Sequence, residues 1–137
     1  MQATDFLGVW RFHRDIQDNT LLGAGIGQGE ARFVLAGDTI TYDETSEIAF
    51  AASPPLKGTR RYLWKPDACG VEIKFADGRP FHRLGLGSAT ATATHWCDPD
   101  QYDVVYDFSR WPNWTSRWHV KGPRKDYVMR TSYRRAK

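Results

Sequence analysis

Apolar and polar residues alternate with a period of two along most of the chain. Tyr102, Val104, Tyr106 and Phe108 share one face of their segment, and Asp103 and Asp107 share the other, with Val105 the exception. Tyr127, Met129, Thr131 and Tyr133 alternate with Val128, Arg130, Ser132 and Arg134. Val71, Ile73 and Phe75 alternate with Glu72 and Lys74, and Ala31, Phe33 and Leu35 with Glu30, Arg32 and Val34. Trp10, Phe12, Arg14 and Ile16 fall on one face. Successive strand side chains point to opposite sides, so this spacing predicts β-strands with one buried face. Turn residues punctuate them: Ala36-Gly37-Asp38, Ser53-Pro54-Pro55, Lys57-Gly58, Asp77-Gly78, Asp98-Pro99-Asp100 and Gly122-Pro123. Asp-Gly between two alternating runs is the clearest hairpin signal of these. Helix has room only at Thr4–Leu7, with Thr4 or Asp5 as its cap. The pattern predicts an all-β fold: one domain over residues 1–137, a single antiparallel up-and-down barrel of about eight to ten strands with little helix. Closure removes the exposed sheet edges that so many short strands would otherwise leave.

The series Gly23, Gly25, Gly27, Gly29 has neither the spacing of a nucleotide-binding loop nor a following helix. On a strand the four share one face, which suits a bend or a close backbone approach. Aromatic residues make up 14% of the chain, so rings supply much of the core of a sequence that is only 41% hydrophobic. Two cysteines, Cys69 and Cys97, make no disulfide framework and read as reduced thiols of a cytoplasmic protein. No signal peptide is visible, and no apolar run approaches the ~20 residues of a membrane span. From Arg110 to Lys137 nine Lys or Arg stand against one acid, Asp126. Such a basic third suits an anionic partner, but no nucleic-acid motif accompanies it, and nucleic-acid binding is not expected.

If Arg79–Leu84, Ala91–Cys97, Tyr102–Phe108, Thr115–Lys121 and Tyr127–Arg134 are successive antiparallel strands, three polar turns share one end of the sheet. They carry Arg79–His82, His95–Tyr102 and Arg124–Tyr127. The apolar majority on the first strand points Trp10 inward and carries Arg14 with it, where it needs an acid, a ring or an anion. The later strands place Tyr102, Tyr106, Trp118, Tyr127 and Tyr133 inside. For the Ala91, Ala93, His95, Cys97 face the choice between inside and outside stays open, because the opposite face carries Trp96. The candidate ligand-binding residues are therefore Arg14, His82, His95, Cys97, Tyr102, Tyr106, Trp118, Arg124, Lys125, Tyr127 and Tyr133. Inward hydroxyls and an inward guanidinium on an apolar wall point to a small anionic or polar-aromatic ligand. His95 and Cys97 lie ~6.6 Å apart along one strand face, with His82 and His119 as further candidates, but no metal-binding spacing accompanies them and no metal is expected. No cofactor is expected and no catalytic residue is assigned.

Gly8-Val9-Trp10 resembles the G-x-W start of lipocalin-like, or calycin, barrels, and Asp100-x-Tyr102 entering a strand is similar to a second lipocalin motif. Together with Asp77-Gly78-Arg79-Pro80-Phe81-His82, His95-x-Cys97 and Gly122-Pro123-Arg124-Lys125-Asp126-Tyr127, these make the whole chain resemble a family of short proteins classed as a domain of unknown function. The resemblance implies a calycin-like barrel with a ligand cavity and implies no reaction. In such barrels the G-x-W end is often closed, so the convergent polar turns read equally as a closed-end plug or as a site. Trp111 and Trp114 read as a cover over the open end, or as a binding rim if exposed. The favoured function is a small-ligand-binding barrel. Its rivals are a small cytoplasmic enzyme using His95, Cys97, Tyr102 and Lys125, and an interaction module using the basic C-terminal third. The oligomeric state is not read.

Overall fold

A computed structural model describes residues 1–51 and 53–136. Lys137, counted in the basic third, lies outside the described residues. The alternating segments form ten strands: β1 (Gly8–Asp18), β2 (Gly23–Ala36), β3 (Thr39–Phe50), β4 (Leu56–Asp67), β5 (Gly70–Phe75), β6 (Pro80–Gly85), β7 (Thr90–Cys97), β8 (Asp100–Arg110), β9 (Asn113–Lys121) and β10 (Asp126–Arg135). Each pairs antiparallel with its sequence neighbour, with one exception. β1 closes on β10, from Trp10 opposite Arg135 to Asp18 opposite Tyr127. The result is a single all-β, up-and-down barrel. The one departure from the expected ladder is that β6 and β7 are the two ends of the sheet and are not hydrogen-bonded. Arg79–Leu84 and Ala91–Cys97 therefore face each other across a seam.

Before β1, Ala3–Phe6 form a single 3-10 turn. Gln2, rather than Thr4 or Asp5, opens it, its backbone N–H donating to the Asp5 carboxylate at 2.8 Å. The turn drops Phe6 into the barrel end where β1 begins, and Phe6 is fully buried. Its ring meets Trp10, Phe33, Trp64, Phe108, Trp111 and Trp114 at centroid distances of 4.8 to 6.5 Å, mostly tilted or edge-on. Aromatic pairs favour such geometries. This end is sealed by rings, and Trp111 and Trp114 belong to the seal rather than to an open rim.

On the inner face of β2, Gly25, Gly27 and Gly29 let neighbouring side chains cross close to the backbone. A Cβ on Gly29 would lie 2.5 Å from the Phe12 ring, and one on Gly25 at the same distance from Phe50. The glycine series is thus the place where the sheet coils around aromatic side chains. No helix among the described residues is long and apolar enough to cross a membrane, a statement that does not bear on strands. Cys69 and Cys97 are free and exposed.

Candidate functional site

At the end opposite the Phe6 seal, the turns 18–23, 75–80, 97–100 and 121–126 surround a mouth. The three polar clusters expected to converge do so here, far from Gly8-Val9-Trp10, which lies at the sealed end. A cavity of about 960 Å³ runs inward from this mouth, lined among others by Arg79, His95, Cys97, Lys125 and Tyr127 near the entrance and by Trp64 and Trp114 towards the seal. The open choice on β7 is resolved by burial: Ala91, Ala93 and His95 face inward, half-buried, while Trp96 is 60% exposed outside.

Arg14 anchors the cavity floor. Its Nη1 and Nη2 donate to the two Glu44 carboxylate oxygens at 2.8 and 3.2 Å, its Nε donates to Thr131 Oγ1 at 2.8 Å, and its guanidinium lies 4.4 Å over the Phe12 ring. Tyr42 donates its hydroxyl to Glu44 at 2.6 Å and meets the Tyr133 hydroxyl at 3.0 Å. Burial alone would raise the Glu44 carboxyl, but the hydrogen bonds and charge of Arg14, joined by Tyr42, hold it below its ordinary value. Burial works against the charge of Arg14 as well, and Glu44 and the tyrosines more than offset it. The floor tyrosines stay protonated: burial lifts Tyr42 well above its ordinary value and Tyr133 to about 12. This network satisfies its own polar groups. The inward hydroxyls of Tyr42 and Tyr133 bond to each other and to Glu44, so these two do not call for a ligand.

A second polar pair crosses the seam. His82 on β6 and Tyr106 on β8 meet at 2.8 Å between Nε2 and the hydroxyl, reaching over β7. Ala91 stands beside Tyr106 in the β7–β8 ladder, and a small inward residue at that point leaves the space the bond occupies. Burial, and next the charge of His95, lower His82 to about 3, so its ring is neutral near pH 7. Burial raises Tyr106 well above the ordinary tyrosine value, which keeps its proton in place to donate. The Nδ1 of His82 has no hydrogen-bond partner among the described residues. The Phe81 and Trp118 rings stand edge-to-face with the imidazole at centroid distances of 4.5 and 5.0 Å. Phe81 faces inward beside His82, against strict alternation, because the β5–β6 register shifts at Ile73/Lys74. It stacks on Phe75, Tyr62 and Trp118 at 4.4, 5.5 and 5.1 Å, giving the cavity a flat aromatic wall.

Three cations stand nearer the entrance. Arg79 pairs with Asp77 at 2.7 Å, and Lys125 pairs with Asp100 at 3.1 Å while donating to the Tyr102 hydroxyl at 3.3 Å. The Asp100 bond, then the Tyr102 bond, raise Lys125 above its ordinary value. Arg60 leaves the inner face of β4 and donates to the Tyr62 hydroxyl at 3.2 Å. His95 packs against Phe75 and Phe81, and no hydrogen bond joins it to Cys97 among the described residues.

Of the residues expected at the site, Arg14, His82, His95, Cys97, Tyr102, Tyr106, Trp118, Lys125, Tyr127 and Tyr133 line the cavity. Arg124 does not: it sits exposed on the β9–β10 turn, off the strands that carry the inner face. Sequence reasoning missed Tyr42, Glu44, Arg60, Tyr62 and Phe81. The first four were legible, since Ile40, Tyr42 and Glu44 alternate, as do Arg60, Tyr62 and Trp64. Phe81 was not, because its inward turn depends on the register shift. Arg117, Arg130 and Arg134 of the basic third lie on the outer wall. Among the described residues no three His, Cys, Asp or Glu side chains gather in a metal-holding cluster.

The model of a family of unknown function (DUF6314) matches residues 6–135. No curated protein matches the chain significantly. Among solved structures, the S-type phycobiliprotein lyase CPES from Guillardia theta superposes with a TM-score of 0.67 over 100% of this chain and 94% of the other, at 10% sequence identity. At that identity the likeness is one of fold.

Proposed function

The chain belongs to the family of unknown function DUF6314, and from the site it carries we propose that it is a small-ligand-binding barrel for an anionic or polar-aromatic compound. The observation that carries this reading is the cavity: about 960 Å³ of space, open at the polar end, inside a barrel whose other end is sealed by rings. A barrel built only to be stable would fill such space with side chains, because every void forfeits packing contacts. Here the inner face of β7 carries alanines where larger residues would close it. The volume lies in the range of sites for drug-sized molecules. The stacked wall of Phe75, Phe81, Tyr62 and Trp118 suits a planar body. The phycobiliprotein lyase of the same plan supports the coarse part of the reading, that this architecture serves small-ligand chemistry. Two free, exposed thiols suit a reducing compartment such as the cytoplasm.

A panel of small carboxylates and planar aromatics titrated against intrinsic Trp fluorescence tests the reading. Trp118 and Trp114 line the cavity, so at least one planar aromatic is expected to give a saturable change. A flat response across the panel would reject ligand binding and favour a partner-binding role for the outer wall.

A further inference from the structure

We propose that the ligand is a planar aromatic monoanion whose acid group pairs with Arg60. This inference rests on the ligand-binding reading and adds to it the charge and the orientation of the bound molecule. Glu44 stands directly opposite Arg60 in the β3–β4 ladder, and in a sheet a directly opposed acid and base normally pair. Here they do not. Both Glu44 oxygens are turned to Arg14, at 2.8 and 3.2 Å, and one also accepts from Tyr42. Two inward guanidiniums thus share one inward carboxylate, and Arg14 holds it. The other cavity-lining cations have acids of their own: Arg61 has Asp43, Arg79 has Asp77, and Lys125 has Asp100. His82 is neutral near pH 7 and adds no charge.

Arg60 is left with one excess positive charge and with most of its donors unused. Of the five N–H groups of a guanidinium, only one, on Nη1, has an acceptor among the described residues, the Tyr62 hydroxyl at 3.2 Å. The side chain leaves the inner face of its strand, so its surface borders the cavity. A planar fork of free donors matches a carboxylate in two-point geometry. One excess charge balances a monoanion, whereas a phosphate monoester carries about −1.5 to −2. Beside Arg60, Tyr62 begins the stacked wall through Phe81 to Trp118. A ligand whose acid meets Arg60 therefore lays its ring system against that wall.

The test uses anthracene-2-carboxylate and its uncharged carboxamide, two probes of one shape, titrated by fluorescence against the wild-type protein, Arg60→Gln and Arg60→Lys. The wild type is expected to prefer the acid by about tenfold or more, the scale of a charge-assisted two-point contact. In Arg60→Gln the preference should fall towards one, and Arg60→Lys should keep part of it. Equal affinity for acid and amide in the wild type would overturn the inference and leave the ligand-binding reading standing. A preference that survives in Arg60→Gln would overturn it too, placing the anion at another cation. If neither probe saturates, this inference is overturned, and the wider panel of carboxylates and aromatics decides the ligand-binding reading. The wild-type comparison does not depend on any variant folding.

Discussion

The Arg14–Glu44 pair shows how one inward charge fixes its surroundings. Both side chains are about 93% buried, and each would be costly alone. Glu44→Ala leaves Arg14 without its acid and is expected to cost about 3–5 kcal/mol, read as a shift in the chemical-denaturation midpoint. The double variant Arg14→Met, Glu44→Leu should lose less than the two single losses combined, because it removes both charges. An additive double variant would show that the two residues do not act as a unit. Two buried groups contribute to the acid limb of stability. The folded Glu44 carboxyl lies below its ordinary 4.5, so its contribution is full above that pH and is lost as pH falls through the lower folded value. His82 titrates at about 3 folded against 6.5 ordinarily. Between those values the unfolded chain binds a proton the folded one refuses, and stability falls as pH drops from 6.5 towards 3. His82→Gln should flatten that part of the curve, measured by urea unfolding at stepped pH. An unchanged slope would mean that His82 takes up its proton as readily in the fold as in the unfolded chain.

Strands that close a barrel are usually all alike, but here two are not. The β1–β10 ladder is continuous over nine residue pairs, whereas β6 and β7 meet through side chains only. Amides of β6 and β7 that point into the seam should exchange with solvent much faster than those of β1 and β10 in a hydrogen-exchange experiment. Equal protection across the seam would mean that a ladder forms there in solution. Gly29 is the converse case. Any side chain at that position meets the Phe12 ring and the Thr45 carbonyl, so Gly29→Val should destabilise by at least about 1–3 kcal/mol, again read by denaturation. The alternation of Trp10 to Ile16, of Tyr102 to Phe108 and of Tyr127 to Tyr133 made the strands, their inward faces and the mouth legible in sequence. The seam was not legible, since pairing depends on whether β6 and β7 come within hydrogen-bonding distance, which no local pattern reports. Nor was the seal: Gly8-Val9-Trp10 and the polar turns sit at opposite ends, and the plug is the Phe6 turn, whose four residues carry no periodic signal. Arg14 was expected to find an acid, a ring or an anion, and it found the first two. Its partner Glu44 lies in an alternating run, Ile40-Thr41-Tyr42-Asp43-Glu44, whose period places Glu44 on the inner face with Ile40 and Tyr42.

At the scale of the whole molecule, the two ends divide the work. One end is packed with rings. The other gathers Arg60, Arg79, Lys125, His95, Tyr102 and Tyr127 around open space, and among the described residues Arg60 is the cavity-lining cation with no salt-bridged acid. The basic C-terminal third, which suggested an anionic surface, is divided by the strand period: Arg117, Arg130 and Arg134 go to the outer wall, while Tyr127, Met129, Thr131 and Tyr133 go inside. The central claim is that the interior, rather than this outer wall, is where the protein meets its ligand. Backbone amide shifts during titration with anthracene-2-carboxylate test it directly. The account predicts saturation at one equivalent, with the shifts concentrated on Arg60, Tyr62, Phe81, His95, Tyr102 and Trp118. Shifts that do not saturate, or that concentrate on Arg117, Arg130 and Arg134, would contradict it.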